Sequence, residues 1–211
     1  MSLIAMPSFV SQPIGTLPLR RLTVDEYHRM NEAGILLSGE PYELINGLIV
    51  LKDRSAVGED RMTVGHEHIW CVKMLGRLDK KLERLGCHMQ LQSPVIMSDQ
   101  DEPEPDGAIL RGEIDDYKLR KPEAKDALCV IEVADSSLLH DRTDKLTLYA
   151  NSAIPQYVVI NLPGRVIEIH TDPRSGTGRY ARVETVQPGG KVRLVVGGNR
   201  SVDVPARSLL P

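Results

Sequence analysis

Apolar and polar positions change rhythm along the chain. The change marks a central unit over residues 128–160, LCVIEVADSSLLHDRTDKLTLYANSAIPQYVVI. Leu128 to Val133 is apolar except for Glu132, the pattern of a buried strand. Side chains alternate along a strand, so Val130, Glu132 and Ala134 share one face. A polar turn rich in helix-capping residues comes next, followed by a helix with Lys145 and Tyr149 four positions apart. A breaker at NSAIP and a second apolar run, Tyr157 to Ile160, close the unit. Two apolar strands joined through a helix predict a crossover with parallel pairing.

Upstream, Thr23 and Glu26 form a capping box that opens a helix stopping at Gly34. YELINGLIVL, residues 42–51, predicts a hairpin turning at Asn46-Gly47, with Glu43 in its first strand and the polar loop KDRSAVGED after it. Val64, Cys71, Leu75, Leu78, Leu82 and Leu85 recur at helical spacing and predict one long helix, ended by Gly86. Its opposite side bears Lys73, Arg77, Lys80 and Arg84, a basic stripe that reads either as a solvated face or as a surface for phosphates. His68 projects nearer the apolar stripe than His66, and their i, i+2 spacing argues against a shared metal.

His88 to Met97 predicts a strand containing Gln92. After the acidic turn SDQDEPE, Asp106 opens the strand DGAIL on the same face as Ala108 and Leu110. Residues 111–127 read as a polar connector. Further strands are expected at Val166–His170, Ala181–Val186 and Lys191–Val196, with Pro188-Gly189-Gly190 turning between the last two.

Composition narrows the possibilities. A length of 211 residues suits one domain with a proper core. The net charge of −3 supplies no overall attraction to DNA or to a membrane, and 4% aromatic content argues against a base-stacking binder. Cys71, Cys87 and Cys129 have no pairing or zinc-like spacing and read as buried thiols of a reducing compartment. No apolar run approaches the roughly 20 residues needed to span a bilayer. The N-terminus lacks the features of a signal peptide, so the cytoplasm is the expected location.

Chemistry concentrates at two acids in strand-like runs. A carboxylate in a buried strand is costly unless it is paired or binds a metal, and carboxylates at strand ends suit Mg²⁺ or Mn²⁺. Asp106 and Glu132 are the candidate ligands, with the backbone carbonyl of Val133 as a further oxygen. Phosphodiester cleavage also needs a cation to stabilise developing charge or position the nucleophile. Two residues after Glu132, on the same face, stands Ala134 and no lysine. Lys145 can reach back over that small residue, or it can pair with Asp141 four positions earlier. Glu132 can equally be a structural ion-pair partner of Lys145, and Tyr149 a core aromatic.

PEPDGAIL followed by LCVIEVADSSLLHDRTDKLTLYANSAIPQYVVIN resembles the Uma-two family of restriction-endonuclease-like domains, within the PD-(D/E)XK nuclease superfamily. YELINGLIV, GHEHI and LQSPVIM resemble its earlier motifs, so the resemblance spans Leu22 to Pro173. It implies an α/β fold with a mixed sheet flanked by helices, and a divalent-metal nuclease site. Carried over, Asp106 matches the PD aspartate and Glu132 the following acid. Lys145 matches a lysine of the next helix, which can replace the one absent at Ala134. Asp141 and Tyr149 match the surrounding pattern, Glu43 the early acid, and Gln92 the glutamine before PD. Gln156 and Val158 depart from it, standing where relatives often have an acid and a tryptophan.

The expected organisation is an arm over residues 1–20, a restriction-endonuclease-like core over 21–173, and a strand extension over 174–211 packed on that core. The expected function is Mg²⁺- or Mn²⁺-dependent endonucleolytic hydrolysis, with DNA as substrate. The alternative is a non-catalytic nucleic-acid-binding or scaffold protein that kept the fold. A homo-oligomer paired through strands after Val166 is a further expectation. Glu43, Gln92, His68 and Tyr149 are accessory site candidates.

Overall fold

The computed structural model describes residues 19–37, 40–56, 58 and 64–211. The arm expected over residues 1–20, apart from 19 and 20, and part of the polar loop after the hairpin lie outside them.

Helix α1 (Val24–Glu32) begins where the sequence places it: Thr23 accepts from the Glu26 N–H and Glu26 returns the bond to the Thr23 N–H. Strands β1 (Tyr42–Ile45) and β2 (Leu48–Leu51) form the predicted hairpin. Asn46 and Gly47 have φ of 55° and 67°, the backbone of a tight hairpin turn. A Cβ on Gly47 would come within 2.6 Å of the Arg21 Cβ, so the turn needs glycine for space as well as conformation.

The long helix expected over Val64–Leu85 is two helices, α2 (His66–Gly76) and α3 (Asp79–Glu83). Arg77 and Leu78 N–H groups bond back to Met74 and Leu75 oxygens, three residues earlier, which tightens and ends the first helix. The kink still sends Leu75 and Leu82, both fully buried, into one core. Val64 is exposed and Leu78 and Leu85 half-buried, so the spacing marks the side that turns inward, which a bent path satisfies as well as a straight one.

The main sheet consists of β3 (Cys87–Leu91), β4 (Gly107–Arg111), β5 (Ala127–Ala134), β6 (Gln156–Asn161), β7 (Val166–Arg174) and β8 (Arg179–Val186), side by side in that order. All neighbours are antiparallel except β5 and β6, which run parallel as the crossover requires. The architecture is mixed α/β.

Three local expectations change. Gln92 lies past the end of β3 with φ of 42°, not inside a strand. Asp106 stands just ahead of β4. The turn at Pro188–Gly190 leaves the main sheet: among the described residues β9 (Lys191–Val195) pairs with β10 (Ser201–Pro205) alone, as a separate hairpin. β7 runs across the 173/174 division drawn from the sequence, and β8 completes the main sheet.

Two apolar layers cover the sheet. One holds Cys129, Ile131 and Val133 of β5 with residues of α2, α3, β9 and β10. The other holds Val130 and Ala134 with Leu148, Tyr149, Tyr157 and Tyr180. Alternation along β5 therefore directs Glu132 into the second layer, under the helix that joins β5 to β6.

Candidate active site

The β5–β6 connection comprises α4 (Leu138–His140), a π-helical turn (Asp141–Lys145) and α5 (Leu146–Asn151). Such widened turns within helices recur at functional sites. Here the turn places Asp141 and Lys145 in the interior, 2% and 3% exposed. Lys145 Nζ donates to Glu132 Oε1 at 3.0 Å and to Glu43 Oε1 at 3.2 Å. Tyr149, one turn on, donates to the same Glu132 oxygen at 2.8 Å. Lys145 thus reaches back to Glu132, and its alternative ion pair with Asp141 is not formed. Asp141 instead accepts from Ser137 Oγ at 2.7 Å.

Asp106 lies beside this group. Its Oδ2 accepts from the Val133 N–H at 2.9 Å, which ties the start of β4 to β5. Its Oδ1 meets Lys52 Nζ at 3.1 Å and Gln92 Nε2 at 3.4 Å. His68 Nε2 stands 3.2 Å from Oδ1 without the alignment of a hydrogen bond. His68 is buried and His66 exposed, as the stripe implied. Glu43, from the hairpin, also accepts from the Glu104 N–H at 3.0 Å and lies 3.9 Å from Lys52.

Glu43, Asp106, Glu132, Lys145, Tyr149, His68 and Gln92 are therefore brought together. Lys73, Arg77, Lys80 and Arg84 are exposed, divided between α2 and α3. Lys52 was missed. A lysine directly after an apolar strand ordinarily ends in solvent, yet this one is 6% exposed and also donates to the Glu104 carbonyl. Its partner Asp106 is 54 positions away in sequence, and no local pattern records that contact.

The electrostatics follow from counting. Glu43, Asp106, Glu132 and Asp141 are buried carboxylates, while Lys52 and Lys145 are the buried ammonium groups among them. Four acids against two bases leave a formal excess of two negative charges. Burial opposes ionisation of Asp106, but Lys52 and His68 outweigh it and hold its pKa well below the ordinary value. Glu43 is likewise lowered, because Lys145 and Lys52 outweigh its burial. At Glu132 burial wins over both lysines, with Asp106 and Asp141 adding repulsion, and its pKa rises to about 7. Burial disfavours charge on Lys145 too, but Glu132 and Glu43 keep it a cation, with its pKa well above normal.

A cleft of about 260 Å³ is lined by Glu43, Lys52, Asp106, Glu132, Asp141 and Lys145. Its donors are hard oxygens, four carboxyl groups to two ammonium groups, which suits a divalent cation of the Mg²⁺ type. Among the described residues no hydrogen bond uses Glu132 Oε2. No group of three acidic, histidine or cysteine side chains is arranged to hold a metal among the described residues. The two ammonium groups pair with the carboxylates instead. A set of two carboxylates completed by waters or a phosphate still matches how Mg²⁺ usually binds.

The family model described as "Putative restriction endonuclease", Uma2, matches residues 24–204. A crystal structure described as a putative nuclease belonging to DUF820, from Anabaena variabilis ATCC 29413, superposes with a TM-score of 0.62 at 16% identity. The match covers 89% of this chain and 97% of that one. At that identity the likeness speaks for the fold. No curated protein matches the chain.

Proposed function

Because the chain belongs to the Uma2 family, we propose that it is a metal-dependent endonuclease hydrolysing phosphodiester bonds in DNA. The observation that supports this most directly is that Asp106 and the bonded pair Glu132–Lys145, all buried, line one open cleft. Isolated charges are not buried without purpose or compensation, and strongly perturbed carboxylates in a cleft are candidates for chemistry.

Asp106 and Glu132, with the Val133 carbonyl, would hold Mg²⁺ or Mn²⁺. When bound, the cation would polarise the scissile phosphate and lower the pKa of an attacking water. Lys145 replaces the cation absent at Ala134 and stabilises negative charge developing beside Glu132. Tyr149 fixes the Glu132 carboxylate, while Glu43 holds Lys145 from the other side. Gln92 orients Asp106 by a hydrogen bond, and His68 stands beside it. Lys52 supplies the counter-charge beside Asp106. The exposed Lys73, Arg77, Lys80 and Arg84 would follow the phosphate backbone.

The test is cleavage of supercoiled, linear and single-stranded DNA with Mg²⁺ or Mn²⁺. Asp106→Asn, Glu132→Gln and Lys145→Met should each lower the rate by about 10²-fold or more. Lys73→Glu with Arg77→Glu should reduce the salt dependence of DNA binding by about two phosphate contacts. Wild-type protein inert on every DNA form, with DNA binding unchanged by Glu132→Gln, would support the non-catalytic nucleic-acid-binding alternative.

A further inference from the structure

The two edges of the main sheet are finished differently. At the β3 edge, α2 and α3 pack against the strand, and the Met89 N–H donates to Asp79 Oδ1 at 2.8 Å. A side chain thus satisfies a donor that an edge strand would otherwise leave open. At the other edge, β8 pairs with β7 on one side only among the described residues. Ala181 to Thr185 are five consecutive exposed residues, and Val183 is 61% exposed in mid-strand. A strand open on its outer edge and exposed along its middle is a template for pairing with another strand.

The sequence of that edge says which strand. β8 reads Arg179-Tyr-Ala-Arg-Val-Glu-Thr-Val186. Laid antiparallel against a second copy about Val183, it puts Val183 opposite Val183, Arg182 opposite Glu184, Glu184 opposite Arg182, and Ala181 opposite Thr185. Both charge pairs are complementary, and the apolar residue meets its own counterpart. Neither Arg182 nor Glu184 makes an ion pair or side-chain hydrogen bond among the described residues. Charged side chains, proline or an inward-pointing charge commonly guard an edge, and β8 has charges, but of opposite sign at Arg182 and Glu184. This one presents a self-complementary row.

We infer that β8 is a homodimer interface, pairing antiparallel with β8 of a second copy about a two-fold axis at Val183 and continuing the six-stranded sheet through both protomers. The pairing is isologous, so it closes at two copies. It lies apart from the cleft and stands or falls independently of the proposed catalysis.

Sedimentation velocity of the full chain at rising concentration tests it. The wild type should dimerise reversibly. Arg182→Glu or Glu184→Arg alone sets like charges opposite one another at both pairs and should weaken the dimer about tenfold. The double variant, Arg182→Glu with Glu184→Arg, restores complementarity and should return the dissociation constant close to wild type. Val183→Lys, which opposes two ammonium groups at the axis, should leave monomer. These positions are exposed, so unchanged circular dichroism is expected in every variant. Three outcomes would overturn the inference: a monomeric wild type at all concentrations, a dimer indifferent to the single swaps, or a double variant no better than the singles.

Discussion

The two faces of β5 are built from one strand by opposite means. Cys129, Ile131 and Val133 enter an apolar layer in which shape and area do the stabilising. Val130, Glu132 and Ala134 enter a layer where apolar residues surround four carboxylates and two lysines. The first face tolerates loss of a methylene at the cost of a cavity. The second depends on each charge keeping its partner, because an uncompensated buried ion costs more than a void. The strand thus joins a stabilising face to one whose burial of Glu132 opposes folding at neutral pH.

Removing one cation should have the largest effect. Lys145→Met leaves Glu43 and Glu132 facing each other without it. Above neutral pH it should destabilise the protein by about 3–5 kcal/mol, measured by denaturant unfolding. In more acidic buffer the loss should shrink, since Glu132 can then be neutral.

On the opposite face, Ile131→Ala should cost about 2–5 kcal/mol, with the spread set by how far the layer collapses into the gap. That cost should not vary with pH. A pH-dependent cost at Ile131, or a pH-independent one at Lys145, would contradict the division between the faces.

The smallest effect concerns Glu132 itself. Its folded-state pKa of about 7 lies above the ordinary 4.5. Between those values the native state holds a proton that the unfolded chain has released. This group's contribution to stability therefore falls as pH rises through that window, and is fully lost only above about 7. Asp106 and Glu43 act in the other direction: their lowered pKa values stabilise the fold above the ordinary carboxylate range, and that support is lost in strong acid. Glu132→Gln should reduce the fall in stability between 4.5 and about 7, leaving the part that Asp141, also raised by burial, contributes, and should leave the acid limb, as thermal unfolding across pH would show.

Much of this site was legible in the sequence, in residues whose environment is local. The alternation of LCVIEVA dictates that Glu132 leaves the face of Ile131, because a strand has a period of two. The Thr23–Glu26 capping box and the Asn46-Gly47 turn are encoded within a few residues and form as written. Asp106, Glu132 and Lys145 were marked out by the resemblance, and they line one cleft, Lys145 bonded to Glu132 and Asp106 to Lys52. What the sequence could not hold was the partner of each charge. Lys52 reads as a solvated lysine until the hairpin carries it to Asp106, and Glu43 joins Lys145 across 102 positions. The break between α2 and α3, the exit of β9 and β10 from the main sheet, and the open edge at β8 were likewise decided in three dimensions. Hydrophobic spacing states that a residue is buried, and local polarity states that a turn is possible. Which surfaces meet, and which charges they neutralise, depends on chain segments far apart in sequence, so only the tertiary structure determines it.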